Sequence, residues 1–284
     1  MIAIRFDRFG PPDVLGLRTA AEPHAGPGQV RIRARAAGVS PVDLTLRAGG
    51  SPSSAHLVLP HIPGVDAAGV VDEIGAGVED LAVGDDVFGT VDIATLGGAC
   101  AEFAVLAFWA RKPESLSWTE AGAAGTSVET ATRALDLLDT GEGTTLLIDG
   151  ASGGVGSVAV QLAIARGASV IGTARPESHA FLAGLGARPV AYGPGLADRI
   201  GAPHVDQALD VAGAGSLDAL VTLTGSAESV ITLADFTGPR PGVRLSRGQF
   251  GGEPDGRHGL ALAAARGPRQ GKIVLDLTVL GSAG

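Results

Sequence analysis

The chain has 284 residues and a formal net charge of −9, with 45% hydrophobic and 18% charged residues. This composition excludes a disordered chain, and a negative charge without a basic cluster opposes binding to nucleic acid. Apolar runs are shorter than a membrane span, and the N-terminus lacks the apolar block of a secretion signal. We therefore expect a cytoplasmic protein of two domains with no membrane attachment.

The N-terminal part has the pattern of an irregular β domain. Short alternating segments separated by Gly/Pro turns predict antiparallel strands. A helix is predicted over 42–47, because Ser40 can cap it and Pro41 suits its first position. Residues 49–54 are predicted to form a mobile loop. The strand-like segments are 2–6, 15–20, 29–38, 63–75, 83–89 and 100–106.

The pattern changes at Ser117, which lies three residues before Glu120 in a capping-box signature. An alanine-rich helical region follows and runs to Leu138 with one interruption. Strands and helices then alternate, which predicts an α/β fold with a doubly wound parallel sheet. Strands are predicted at 145–149, 169–173, 188–192, 205–212, 228–234, 243–246 and 272–277, the last returning to the first domain, and helices at 155–166, 177–184 and 216–223.

A glycine-rich turn, Gly150–Gly156, separates the first of these strands from the following helix. Small residues let the backbone approach an anion, and the N–H groups at the helix start face it, which suits a dinucleotide pyrophosphate. The next strand ends in Thr173, Ala174 and Arg175, where an NAD site typically has an acidic residue. A cation without a carboxylate favours the 2′-phosphate of NADP. The alternative is a turn that serves only helix packing.

Motifs in a fixed order cover nearly the whole chain: AAGVSPVD at 36–43, IPGVDAAGVVDEIGAGV at 62–78, VGDDVFG at 83–89, GGACAEFAV at 97–105, IDGASGGVGSVAVQLA at 148–163, DVAG at 210–213, TLADF at 232–236 and GKIVL at 271–275. In this order they resemble the zinc-independent medium-chain dehydrogenase/reductases of the quinone oxidoreductase type. The resemblance implies a GroES-like β domain from 1–116 and 247–284, a Rossmann domain from 117–246, and NADPH in the cleft.

The metal ligands of zinc-containing relatives are missing from this sequence. Those relatives carry cysteine where Ser40 stands and Gly-His-Glu where Gly64–Val65–Asp66 stands. With a single cysteine, Cys100, there is neither a thiolate cluster for structural zinc nor an internal disulfide, and the six histidines have no metal-ligand spacing. The sequence predicts chemistry without zinc.

The resemblance also assigns cofactor contacts. It implies Ser152, Gly153, Gly154 and Val155 for the pyrophosphate, Thr173 and Arg175 with Ser178 for the 2′-phosphate, Tyr192 for the adenosine phosphate, Thr130, Ala212 and Phe236 for the nicotinamide side, and Lys272 for the pyrophosphate from the other domain. Structural alternatives remain for some of them. Tyr192 is equally explained as a half-buried strand aromatic, Thr130 as a helix threonine bonding its own backbone, and Lys272 as a solvated lysine.

In such reductases the protein stabilises the oxyanion that forms on the substrate. Ser40 stands at the position of the metal-binding cysteine and is the candidate for this role. Asp43 and Arg47 match the family's Asp and Arg after it, although an ion pair at i, i+4 explains them equally well. No tyrosine is placed to donate a proton, so the sequence predicts protonation from solvent.

The segment between Leu245 and Lys272 is short for the family. A strand and a helix are missing and one short helix is predicted at 259–266, which leaves the pocket open or completed by a partner subunit. The leading hypothesis is an NADPH-dependent reductase of a quinone or activated double bond. The alternatives are a non-redox cyclase or lyase on the same fold, and an NADPH-binding regulatory protein. The predicted edge strand at 243–246 favours a homodimer.

Overall fold

A computed structural model of the chain describes residues 1–92, 95–201, 204–236, 241–246 and 273–277. The described residues divide into two units, one formed by 1–126 with 273–277 and the other by 127–246. Within these ranges, no helix is long and apolar enough to cross a membrane. The short helix predicted at 259–266 and Lys272 lie outside the described residues.

The first unit is built on β-strands. Helix α1 (Pro41–Ala48) lies wholly within it, and short 3₁₀ helices lie at Pro12–Val14 and Pro52–His56. The second of these occupies part of the segment predicted as a mobile loop, since Ser51 accepts a bond from the Ser53 N–H and starts a helical turn. The strands are β1 (Ile2–Arg5), β2 (Gly16–Thr19), β3 (Val30–Val39), β4 (Asp66–Ile74), β5 (Asp86–Val91), β6 (Phe103–Arg111) and β13 (Ile273–Asp276).

Strand β3 closes the main sheet of this unit. Its first half, Val30–Arg33, pairs with β6 and its second half, Ala36–Val39, pairs with β13, while β4 follows its other edge. Since β4, β5 and β6 are also paired in series, the strands form a closed antiparallel arrangement around a buried apolar core. The predicted return of the C-terminal strand to this unit is confirmed.

Helix α2 (Trp118–Leu137) is continuous, so the predicted interruption is wrong. The reason lies in its glycines. A Cβ on Gly122 would stand 2.8 Å from the Cβ of Ala36, and one on Gly125 would stand 2.6 Å from the Gly89 carbonyl oxygen. These glycines let the helix pack directly against the strands, and packing outweighs their low helix propensity of about 1 kcal/mol each.

The second unit contains a parallel sheet in the order β12-β11-β10-β7-β8-β9. This is the doubly wound order with its switch point between β7 and β10, which confirms the predicted fold class. Helix α5 is an element that the sequence did not predict. The bounds are β7 (Thr145–Asp149), α3 (Gly154–Ala165), β8 (Ser169–Ala174), α4 (His179–Gly184), β9 (Arg188–Ala191), α5 (Leu196–Ile200), β10 (Gln207–Asp210), α6 (Leu217–Thr224), β11 (Val230–Thr232) and β12 (Arg244–Leu245), with 3₁₀ turns at Pro176–Ser178 and Ala227–Ser229.

Candidate functional site

A cavity of about 880 Å³ lies at the carboxyl ends of the parallel strands of the second unit. Open α/β sheets collect ligands at this edge, next to the switch point. The wall combines ends of strands with the loop before α5 and the first turns of α6. It is lined by Asp149, Gly150, Ser152, Thr173, Ala174, Arg175, Tyr192, Gly193, Pro194, Gly195, Leu196, Ala197, Ala212, Ala214, Gly215, Ser216, Asp218, Ala219 and Thr222.

The glycine-rich turn presents bare backbone at the start of α3. Gly150 has a φ of +84° that only glycine adopts without strain, and Gly153 precedes the helix without a side-chain cap. A Cβ on Gly153 would meet only the Gly150 carbonyl, at 3.4 Å. The first N–H groups of an α-helix have no partner within the helix. Predicted residues Gly153, Gly154 and Val155 therefore form a backbone surface that fits a phosphate.

Arg175 directly follows β8 and lines the cavity with an exposed side chain. Its guanidinium makes no hydrogen bond or ion pair with any residue in the described part of the chain. A guanidinium donates two parallel hydrogen bonds to a phosphate, so a cation in this position fits an anionic ligand group. The predicted residues Ser152, Thr173 and Tyr192 line the same cavity, and Tyr192 is 56% exposed.

Asp149 is a site residue that the sequence reasoning missed. Its carboxylate, only 3% exposed at the end of β7, accepts hydrogen bonds from the Thr173 hydroxyl and, at 2.6 Å, from the Ser216 hydroxyl before α6. The Thr173 oxygen in turn accepts from the Gly150 N–H at 3.1 Å. The carboxylate thus ties the glycine turn, the end of β8 and the start of α6 together. The available signal was a carboxylate ending a buried strand directly before the turn.

The other side of the switch point is organised by a second buried carboxylate. Asp210, at the end of β10, accepts from the N–H groups of Ala212 and Gly213 at 3.1 and 2.8 Å and from the Thr232 hydroxyl at 2.7 Å. This tight turn brings Ala212 next to the glycine turn, where a Cβ on Gly150 would lie 3.1 Å from the Ala212 Cβ. Ala212 therefore lines the cavity as a small residue.

Six of the predicted cofactor residues in the described part of the chain do not line the cavity: Thr130, Gly153, Gly154, Val155, Ser178 and Phe236. Phe236 follows β11 and is 68% exposed. Thr130 is half-buried in α2, and its hydroxyl donates to the Glu129 carboxylate at 3.1 Å. Another, Lys272, falls outside the described residues. The cavity therefore brings together Thr173, Arg175 and Tyr192, predicted for the adenosine half, with Ser152 of the glycine-rich turn. Of the residues predicted for the nicotinamide side, only Ala212 lines it.

The predicted catalytic residues lie in the first unit, at the start of α1. Ser40 and Asp43 form a capping box there, and both are buried. One oxygen of the Asp43 carboxylate accepts from the Ser40 N–H at 2.7 Å and the other from the Gly64 N–H at 3.0 Å. Arg47 donates from Nε to the Gly10 carbonyl at 3.2 Å. Asp43 thus fixes the backbone around Ser40 against the loop before β4.

The thiol of Cys100 lies under this loop. A Cβ on Gly64, whose φ is +96°, would stand 2.7 Å from the Cys100 sulfur. Burial, assisted by the negative charge of Asp43, raises the pKa of the Cys100 thiol to about 12. The sulfur therefore stays protonated at neutral pH and has neither the charge of a nucleophile nor that of a metal ligand. In the described part of the chain, no group of three or more His, Cys, Asp or Glu residues could hold a metal ion.

Known proteins similar to this chain share its fold and its motifs. The model of the alcohol dehydrogenase GroES-like domain matches residues 26–131. The quinone oxidoreductase of Sus scrofa is 40% identical over 183 residues, which are 62% of this chain and 54% of that protein. A chloroplastic NADPH-dependent alkenal/one oxidoreductase of Arabidopsis thaliana is 32% identical over 192 residues, which are 64% of this chain and 50% of that protein. The chain spans about half the length of these curated relatives.

A solved structure extends the similarity over most of both chains. The crystal structure of an alcohol dehydrogenase superfamily protein from Novosphingobium aromaticivorans has a TM-score of 0.74 and 32% identity, and the match covers 100% of this chain and 82% of that chain. The chain belongs to the medium-chain dehydrogenase/reductase family and is quinone oxidoreductase-like, which confirms the resemblance drawn from its motifs.

Proposed function

We propose that this protein is an NADPH-dependent oxidoreductase that reduces a quinone or an α,β-unsaturated carbonyl compound without zinc. The observation that carries the proposal is the unpaired Arg175 guanidinium in the wall of a cavity that Gly150 and Ser152, from the turn before α3, also line. When bound, NADPH supplies the hydride. The protein's task is to hold the cofactor, keep water out and stabilise negative charge on the substrate oxygen.

We assign different parts of the cofactor to different residues of the second unit. The backbone N–H groups of Gly154 and Val155 bind the pyrophosphate at the start of α3, and Arg175 binds the 2′-phosphate. Tyr192 covers the adenosine and Ala212 leaves room beside the turn. The Thr173 hydroxyl already donates to Asp149, so we assign Thr173 to positioning the turn. Thr130, Phe236 and Lys272 remain candidates for the nicotinamide end.

Oxyanion stabilisation without zinc has to come from polar groups of the first unit. We assign Ser40 as the hydroxyl that contacts the substrate oxygen and Asp43 as the residue that positions it. Ser40 and Val65 occupy the places of the metal-binding cysteine and histidine of zinc-containing relatives, and neither side chain is a zinc ligand. The substrate class is supported by the relatives, whose names refer to quinones and to alkenals or enones.

We further propose a homodimer formed through β12. This strand ends the parallel sheet, and no described strand pairs with its outer edge. Edge strands with unpaired N–H and C=O groups favour pairing with a second copy. Light scattering after size exclusion tests this proposal: a monomer across the micromolar range would reject it.

The function is tested with the purified full chain. Calorimetry should give a Kd for NADPH in the micromolar range, about tenfold or more below that for NADH, and absorbance at 340 nm should fall when a panel of quinones and enones is added. Dialysis against a chelator should leave the rate unchanged. If NADPH binds and a product forms without loss of absorbance, the enzyme is a cyclase or lyase. Binding without any product indicates a regulatory protein, and the absence of binding rejects the proposal.

A further inference from the structure

A single guanidinium organises the loop between β9 and α5. Arg199 lies on α5, and its nitrogens donate to the carbonyls of four consecutive residues, Ala191 to Pro194. Nε reaches Ala191 at 3.0 Å, one terminal nitrogen reaches Pro194 at 2.7 Å, and the other reaches Tyr192 at 3.2 Å and Gly193 at 2.9 Å. Of the five N–H groups that an arginine carries, these contacts use four.

Without Arg199, the residues of this loop would not hold its backbone in one conformation. Gly193 and Gly195 have φ angles of +94° and +76°, and they flank Pro194, which has no N–H to donate. Glycine segments of this kind lose about 1–2 kcal/mol of conformational entropy per residue when they are fixed. Bonds to four successive carbonyls hold the backbone in one arrangement. A Cβ on Gly195 would lie 3.2 Å from the Arg199 guanidinium, so the contact is close-packed.

The loop forms part of the cavity wall. Tyr192, Gly193, Pro194 and Gly195 all line the cavity that Arg175 and Ser152 also line. Arg199 itself is not among the lining residues. Arg199 can therefore act on a ligand through the loop backbone and the Tyr192 ring that this backbone carries, or through its charge, and the test below separates the two.

We infer that Arg199 is a positioning residue. Before the cofactor binds, it holds the loop between β9 and α5 in the conformation that contacts the 2′-phosphoadenosine half of the cofactor. The inference rests on the proposed function. Without the guanidinium, the loop has to be ordered by the ligand itself, and this cost reduces affinity. An arginine is required because its planar fork spans several carbonyls at once, whereas a lysine ammonium is a point donor.

The test uses the full chain and adenosine 2′,5′-bisphosphate, which has the adenosine, the 2′-phosphate and one 5′-phosphate but no nicotinamide half. We expect Arg199→Ala and Arg199→Lys each to raise the calorimetric Kd of this probe about tenfold. The control Arg166→Ala removes the same charge from a residue that pairs with Asp136 and does not line the cavity, and its Kd should stay within about twofold. In turnover assays of the two Arg199 variants, the KM for NADPH should rise and kcat should stay unchanged.

Hydrogen exchange of the protein without ligand gives a second readout. The amides of Tyr192, Gly193, Gly195 and Leu196 should exchange about tenfold faster in both Arg199 variants, with the melting temperature of the chain nearly unchanged. Wild-type affinity in Arg199→Lys would show that charge rather than the clamp matters, and unchanged exchange would show that the loop is ordered without Arg199; either overturns the inference. If wild type fails to bind the probe, the proposed function fails, and the cofactor role of the clamp fails with it.

Discussion

The two units hold their candidate site residues in different ways. In the second unit, Arg175 and Tyr192 are exposed at the cavity, whereas the carboxylates Asp149 and Asp210 are buried. In the first unit, Ser40 and Asp43 are both buried and Asp43 is bonded to backbone on each oxygen. In the second unit, the candidate binding side chains are exposed and can be recognised by their lack of partners among the described residues. In the first unit, Ser40 and Asp43 also stabilise the fold, so stability and turnover have to be measured separately.

The largest expected effect concerns the exposed cation of the second unit. Arg175→Glu should raise the Kd for NADPH about 100-fold, because the doubly charged 2′-phosphate loses its cationic partner and meets a negative charge instead. NADH has no 2′-phosphate, so its Kd should change by no more than about threefold. Calorimetry measures both. The exposed Arg8 of the first unit provides the control, since Arg8→Glu makes the same charge change away from the cavity. Equal losses for NADPH and NADH would reject the role of Arg175.

The next effect separates structure from chemistry in the first unit. Asp43→Ala should lower the free energy of unfolding by about 2 kcal/mol, because two backbone N–H groups lose their buried acceptor. Ser40→Ala should lower the free energy of unfolding by about 1 kcal/mol, because a helix cap is lost. It should nevertheless reduce kcat by a larger factor than Asp43→Asn does, because Ser40 is the residue assigned to contact the substrate oxygen. Trp109 and Trp118 both lie in this unit, so their fluorescence in denaturant follows its unfolding. Unchanged turnover in Ser40→Ala would remove Ser40 from the catalytic assignment.

A smaller effect is expected from the buried carboxylate under the cavity. Asp149→Asn keeps the shape but loses the charge that the Thr173 and Ser216 hydroxyls bond to, and should destabilise the second unit by about 1 kcal/mol. The exposed Asp206 accepts one backbone N–H, and Asp206→Asn should cost less than about 0.5 kcal/mol. Calorimetric melting measures both. If Asp149→Asn is more stable than wild type, the desolvation of the buried carboxylate destabilises the fold by more than its hydrogen bonds stabilise it.

The smallest expected signal is an absence of reaction. Burial raises the pKa of Cys100 to about 12, so in the folded chain the thiol stays protonated through pH 9 and should not react with iodoacetamide over hours. The same thiol should be alkylated within minutes in denaturant at pH 9. Mass spectrometry counts the adduct. Rapid labelling of folded protein at pH 8 would show that the first unit opens around Gly64.

The elements with strong local patterns were predictable from sequence. The order of strands and helices in the second unit, the turn at Gly150 and the cation at Arg175 follow from residues adjacent in the chain, and the structure gathers them at one edge. Helix α5 was missed because its five residues lie between Gly195 and Gly201, too short for a periodic pattern.

The parts that could not be predicted depend on tertiary contacts. Continuity of α2 is decided by what Gly122 and Gly125 pack against, which local sequence does not contain. The link from Asp149 to Ser216 joins residues far apart in the chain, and the clamp by Arg199 requires α5 to exist first. Thr130 and Phe236 do not line the cavity, so their assignment to the nicotinamide side stays a prediction.

The split pairing of β3 has a consequence for synthesis on the ribosome. Residues 36–39 emerge early, but the strand that pairs with them, β13, is translated only after the whole second unit. At elongation rates of about 5–20 residues per second, the delay is on the order of 10–50 seconds. During this time the nascent first unit carries an open strand edge, a site where chaperones or neighbouring nascent chains can bind.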